Sequence, residues 1–153
     1  MTVVTIGIGP TGCGKTTWLK PWAANSGAVY VCPDDIRVEM TGDAADQSRN
    51  AEVWAEAYRR VHAALDAGHD VVVDATNARK ADRLRLVRHC RQKADRVNGL
   101  WFKTPTAVCI ERSANRTERP IPAWVVERMA ASLEADPPSV DEGFDAVIPI
   151  LAA

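Results

Sequence analysis

The residues with the most definite chemistry lie near the N-terminus. Gly9-Pro10-Thr11-Gly12-Cys13-Gly14-Lys15-Thr16 satisfies the pattern G-x-x-x-x-G-K-[ST] in full. Glycines let such a loop turn its successive N–H groups toward one point, and a helix that starts at its end adds partial positive charge there. The point suits the phosphates of a nucleoside triphosphate. Gly9, Thr11, Gly12, Cys13, Gly14, Lys15, Thr16 and Thr17 are the expected cradle. Lys15 is expected to reach the β- and γ-phosphates, and Thr16 to hold Mg²⁺. ATP and Mg²⁺ are therefore the expected cofactors. The alternative, a glycine-rich turn with a chance lysine, fits poorly with the buried strand before the loop and the helix after it.

Three further groups could act on a bound triphosphate. Pro33-Asp34-Asp35-Ile36-Arg37 follows the second strand candidate, at the carboxyl end of a parallel strand, where ligands bind. A carboxylate there can take the proton of an attacking hydroxyl, and an arginine one helical turn on can hold a phosphate. Spacing alone leaves open which aspartate acts and which caps the helix. Arg112, Arg116 and Arg119 recur at helical spacing. Their functional reading is a lid that closes over the nucleotide and pivots near Arg119-Pro120; the plain one is a solvated face paired with Glu111 and Glu118. Arg79 and Arg83, in the first turn of a basic helix after the third strand, are expected to bind phosphates of an acceptor strand.

The elements that must position these groups alternate. Strands are expected at 3–8, 28–32, 70–74, 97–102 and 145–150, the fourth weakened by Gly99. Helices are expected at 15–24, 34–40, 46–67 and 79–93, and then at 105–118 and 122–134, divided by Pro120 and Pro122. Trp54, Tyr58, Val61 and Leu65 fall on one helical face, with Gly68 suited to close that helix. Such alternation predicts an α/β fold, a parallel sheet of about five strands with helices on both faces. Trp18, Trp22 and Trp54 are expected to pack in the core. Trp124 is expected to do the same, with stacking on a base as the alternative. The three histidines have neither metal spacing nor a visible partner.

Composition bounds the rest. The 153 residues suit one domain, 1–153, with a lid at about 105–122. A net charge of −1 excludes a protein that coats nucleic acid through a global positive field, though not one that grips a few phosphates. Cys13, Cys32, Cys90 and Cys109 form no CxxC pair and are expected to stay reduced, in a cytoplasmic protein. Neither a membrane span nor a signal peptide is expected. There is no Asn-Lys-x-Asp for reading guanine, and Asp74 is followed by Ala75 where a motor ATPase carries a catalytic glutamate. Both features favour a small kinase.

Taken together, the extended loop Gly9 to Trp18, the stretch Asp34 to Arg37, Val73-Asp74-Ala75-Thr76-Asn77 and Arg112-Ser113-Ala114-Asn115-Arg116 resemble the phage-type 5′-hydroxyl polynucleotide kinase domain, within the P-loop kinases. The resemblance covers about residues 3–134 and implies a three-layer fold with a short helical lid. It implies transfer of the γ-phosphate of ATP to the 5′-hydroxyl of single-stranded DNA or RNA, in phage or bacterial nucleic-acid repair. Asp34 would be the general base. Arg37 would contact the acceptor phosphate, with Asn77 at the acceptor site, and Arg116 would neutralise the transferring group with Arg112 assisting. Asp74 would be a ligand-orienting partner of Mg²⁺ beside Thr16. Ser113 departs from the family's asparagine, and the acidic residue sits one place early at Asp74. The rivals are a P-loop kinase of a nucleoside, sugar, antibiotic or hydroxylated base, and a non-catalytic nucleotide-binding module.

Overall fold

Short β-branched runs form the strands, and their alternation decides which side chains meet which helices. The computed structural model describes residues 1–117 and 119–151. The strands β1 (Val3–Ile8), β2 (Val29–Val31), β3 (Val71–Val73), β4 (Arg96–Phe102) and β5 (Ala146–Ile150) make one sheet in the order β2-β3-β1-β4-β5. Every neighbouring pair is parallel. The helices are α1 (Lys15–Ser26), α2 (Pro33–Thr41), α3 (Asn50–Asp66), α4 (Lys80–Arg91), α5 (Thr106–Ala114) and α6 (Ala123–Ala135). Val4, Ile6, Val71, Val73 and Val97 point toward Val53, Ala57 and Val61 of α3 and Leu86, Val87 and Cys90 of α4. The residues between them, Val72, Leu100 and Phe102, meet Leu19 and Ala23 of α1, Cys109 of α5 and Val126 of α6. Helices thus cover both faces. The order brings the carboxyl ends of β1, β2 and β3 together, and each is followed by one of the motifs singled out above.

Several expected boundaries move for local reasons. α3 starts at Asn50 rather than residue 46, because Asp43 and Asp46 accept bonds from the N–H groups of Ala45 and Ser48 and hold turns there. Gly99 does not weaken β4. Its missing side chain makes room for Ile8 and the Phe144 ring, which a Cβ would meet at 3.1 and 3.2 Å. α5 stops at Ala114, so Arg116 and Arg119 do not continue a helical face. The carbonyl of Ser113 instead accepts the N–H of Ile121, which turns the chain back toward α6. Glu118, an expected partner of these arginines, lies outside the described residues.

Trp18 and Trp54 pack against the two cores, but Trp22 is 38% and Trp124 62% exposed. Trp124 stands two residues before the buried Val126, about 200° round the helix, and so faces away from the core. Trp22 borders an apolar groove shared with Trp18, Leu100, Ile148 and Ile150. Two of the histidines do have partners. His62 Nε2 lies 2.7 Å from the carbonyl oxygen of His89, and the His89 ring stacks on Tyr58. All four cysteines are unpaired.

The largest correction concerns Arg83. It is fully buried, not facing an acceptor. Its Nε and Nη2 each donate to Glu142 at 2.8 Å, and its remaining N–H groups go to the carbonyls of Asn77, Ala78 and Asp136. Glu142 sits on an unexpected single turn, Val140–Glu142. A guanidinium with every edge occupied in a dry interior ties α4 to the approach to β5. Arg83→Met leaves Glu142 buried without a counter-charge, and is expected to lower stability by about 3–5 kcal/mol in denaturant unfolding. The double change Arg83→Met/Glu142→Leu is expected to recover most of that loss.

Candidate active site

The loop that follows β1 is shaped by two glycines. Gly14 adopts φ 94° and caps α1, and Gly12 adopts φ 85°, conformations that favour glycine. Gly12 also lies so close to α5 that a Cβ would meet the Cys109 carbonyl oxygen at 2.4 Å. The carbonyls on the back of the loop are taken up by the segment leading into α5 and by α5 itself. Thr104 Oγ1 donates to Cys13 O at 2.7 Å, Ser113 Oγ to Thr11 O at 3.1 Å, and Arg112 Nη1 to Gly12 O at 3.4 Å. Ser113, the departure from the family pattern, therefore has a definite structural use.

A cleft of about 420 Å³ opens in front of this loop. Thr11, Gly12, Gly14, Lys15, Thr16, Thr17, Asp34, Asp74, Arg112 and Arg116 all line it, so most of the expected site is gathered in one place. Gly9 and Cys13 stand behind the lining. The Cys13 side chain is in the core, and a Cβ on Gly9 would meet its sulfur at 2.7 Å. Lys15 is folded back on its own loop, with Nζ donating to Gly9 O at 3.0 Å and Pro10 O at 3.2 Å.

Across the cleft, Thr16 Oγ1 donates to Asp74 Oδ2 at 2.7 Å. The Tyr30 hydroxyl donates to the same oxygen at 2.5 Å. Burial, and then the bond to Asp74, push the Tyr30 phenol far above its ordinary pKa, so it stays a donor. Tyr30 escapes sequence reasoning because it sits inside an apolar strand run and reads as core. Cys32 also lines the cleft, but burial raises its thiol to about 11, opposed only in part by the Asp35 N–H; it is protonated at neutral pH. Thr16 and Asp74 offer hard oxygen donors, which fits Mg²⁺. Among the described residues no group of three or more His, Cys, Asp or Glu could cage a metal.

Asp34 and Asp35 occupy the first turn of α2 after Pro33, and only Asp34 lines the cleft. Arg37 lies one turn on, 5% exposed, and is not part of the lining. Its Nη1 donates to Asp34 Oδ1 at 2.5 Å and its Nη2 to Asn50 Oδ1 at 2.6 Å. It therefore holds Asp34 in place from below rather than presenting a cation to an acceptor. Asn77, expected at the acceptor site, is buried as well. It adopts φ 48° and donates from Nδ2 to Gly7 O at 2.9 Å, strapping the loop after β3 to β1. Arg79 stands exposed at the head of α4, paired with Asp82 and outside the cleft.

A profile of the family described as an AAA domain matches residues 4–135. The chain belongs to this family. No curated protein matches it. Its fold, that of the P-loop kinases, recurs in solved structures. A chain in the structure of the Pnkp1/Rnl/Hen1 RNA repair complex superposes with TM-score 0.81 at 23% identity, over 94% of this chain and 46% of that one. The present chain thus spans about half the length of that neighbour. A gluconokinase from Sinorhizobium meliloti gives TM-score 0.61 at 18% identity, over 97% and 81% of the two chains. A shikimate kinase from Acinetobacter baumannii, in complex with shikimate, gives 0.62 at 17% identity, over 100% and 86%. Among the described residues no helix is long and apolar enough to cross a membrane.

The close seat of the loop on α5 has a measurable consequence. Gly12→Ala drives a methyl into the Cys109 carbonyl and is expected to cost about 1–3 kcal/mol of stability, with weaker ATP binding in titration. Gly27→Ala, at φ 75° with open space around it, is expected to carry backbone strain alone and leave ATP affinity unchanged.

Proposed function

We propose that the chain is an ATP-dependent 5′-hydroxyl polynucleotide kinase that transfers the γ-phosphate of ATP to the 5′-OH end of DNA or RNA. The observation that carries the reading is the position of Asp34. It is an exposed carboxylate on the wall of the same cleft that Lys15, Thr16, Arg112 and Arg116 line. A nucleotide-binding module or switch has no use for a carboxylate in that place. Transfer to a hydroxyl does, because the attacking oxygen must lose a proton as its bond to phosphorus forms.

In the proposed reaction the 5′-oxygen attacks the γ-phosphorus in line, its proton passes to Asp34, and the bond to the leaving ADP oxygen breaks. Arg37, held by Asn50, keeps Asp34 oriented. Lys15 exchanges the Gly9 and Pro10 carbonyls for phosphate oxygens. Arg116 and Arg112 face the charge that spreads over the transferring group. Mg²⁺, carried by the nucleotide and held at Thr16 and Asp74, would neutralise phosphate charge. Thr104 and Ser113 fix α5 to the P-loop, and Arg116, just past the end of that helix, lines the cleft.

The nucleic-acid acceptor is supported by the order and spacing of the four motifs and by the extent of overlap with the RNA repair structure. A second reading, a small-molecule acceptor, is favoured by one observation. The chain spans 81% and 86% of the gluconokinase and shikimate kinase chains. The test uses γ-labelled ATP, Mg²⁺ and a single-stranded oligonucleotide with a 5′-hydroxyl, with free nucleosides and sugars as competing acceptors. Label is expected on the oligonucleotide 5′ end, reduced about 10²–10⁴-fold by Asp34→Ala and retained by Asp35→Ala. Label confined to a small acceptor would replace the first reading with the second. ATP binding without transfer to any acceptor would overturn both.

A further inference from the structure

The bond from Tyr30 to Asp74 has no part in the reaction as derived, yet it reaches the site from an unexpected direction. Tyr30 lies in the middle of β2, and its ring packs against the core shared by α1 and the sheet. Lys20 of α1 lies over the ring, with Nζ 5.8 Å from its centre. From that anchored position the hydroxyl projects to Asp74 Oδ2 at 2.5 Å. Thr16 Oγ1 donates to the same Oδ2 at 2.7 Å, while neither donor takes Oδ1. Asp74 itself is 3% exposed and follows β3, with its N–H bonded to Val31 O.

We infer that Tyr30 is a positioning residue for the divalent cation, fixing the Asp74 carboxylate so that Thr16 presents a lone pair to the metal. The reasoning follows from what a hydroxyl can offer. Thr16 Oγ1 has one hydrogen and two lone pairs. While its hydrogen is committed to Asp74 Oδ2, the lone pairs have a defined direction and can meet a cation. That holds only if the carboxylate cannot turn. One donor from Thr16 leaves the group free to rotate about its Cβ–Cγ bond; a second, from a ring wedged in the core, removes that freedom. It also leaves Oδ1 as the oxygen able to accept from a metal-bound water. Partners of this kind govern metal affinity strongly even where they never touch the ion. This inference rests on the P-loop as a Mg²⁺–nucleotide site, and not on which acceptor is phosphorylated.

Tyr30→Phe keeps the ring and its packing and deletes only the hydroxyl. The readout is binding of a fluorescent ATP analogue, titrated in EDTA and then against Mg²⁺ at fixed nucleotide. Affinity in EDTA is expected to match wild type, since the phosphates still meet the P-loop. The Mg²⁺ concentration at half-effect is expected to rise roughly fivefold or more, in line with the loss of a hydrogen bond to a charged group. Thermal melting of both proteins separates this from a folding defect. Two results would overturn the inference: an unchanged Mg²⁺ half-point, or equal weakening with and without the metal. Absence of nucleotide binding in the wild type would overturn the P-loop reading and the inference together, whereas binding that ignores Mg²⁺, or an unchanged variant beside a responsive wild type, would sink the inference alone.

Discussion

A backbone that turns its N–H groups toward one point must turn its carbonyl oxygens away from it, and those oxygens need donors. Much of the site follows from that constraint. Thr104, Ser113 and Arg112 supply donors to Cys13, Thr11 and Gly12 from the α5 side, and Lys15 supplies them to Gly9 and Pro10 from within. α5 must therefore lie close enough that Gly12 tolerates no side chain. The same closeness brings Arg112 and Arg116 to the wall of the cleft. Cradle and lid base are one structure, and the arginines stand where they do because the loop's outward face has to be satisfied.

Much of this was legible in the sequence, and the reasons differ by residue. The P-loop could be read because its chemistry is local: eight consecutive residues carry both the turn and the ligand groups. The strands could be read because β-branched runs bounded by turn residues have few other uses. Asp34 could be placed at the carboxyl end of β2; spacing did not separate it from Asp35, the resemblance did, and of the two it is Asp34 that lines the cleft. Arg83 was misread for the converse reason. Its sequence neighbourhood is basic and follows the third strand, which suggests a contact to acceptor phosphates. Its true partner, Glu142, lies 59 positions away on a turn that propensity does not announce. Asn77 and Arg37 were misplaced in the same way, since a polar residue beside a site reads as a ligand contact whether it faces the cleft or supports it from behind.

The lid shows how tertiary contacts override periodicity. Arg112, Arg116 and Arg119 have the spacing of a helical face, yet the helix ends at Ala114 because Ser113 is fully buried and its carbonyl is claimed by Ile121. Periodicity reports what a continuing helix would present. It does not report where a buried residue is pulled aside to close a turn. Trp124 was misread by the same logic, since the size of a tryptophan says it is worth burying but its phase on α6 puts it outside.

The resting posture of Lys15 also bears on selectivity among anions. Its ammonium already holds two carbonyl oxygens inside the loop, so any ligand must displace them, and the gain is only the difference between old partners and new. An anion with one or two charges offers little more than those oxygens do. A polyphosphate, which concentrates charge and brings its own counter-ion, offers much more. A triphosphate would thus be favoured over a less charged anion through the Lys15 side chain and the two carbonyls it holds, before any contact with a base or sugar is made.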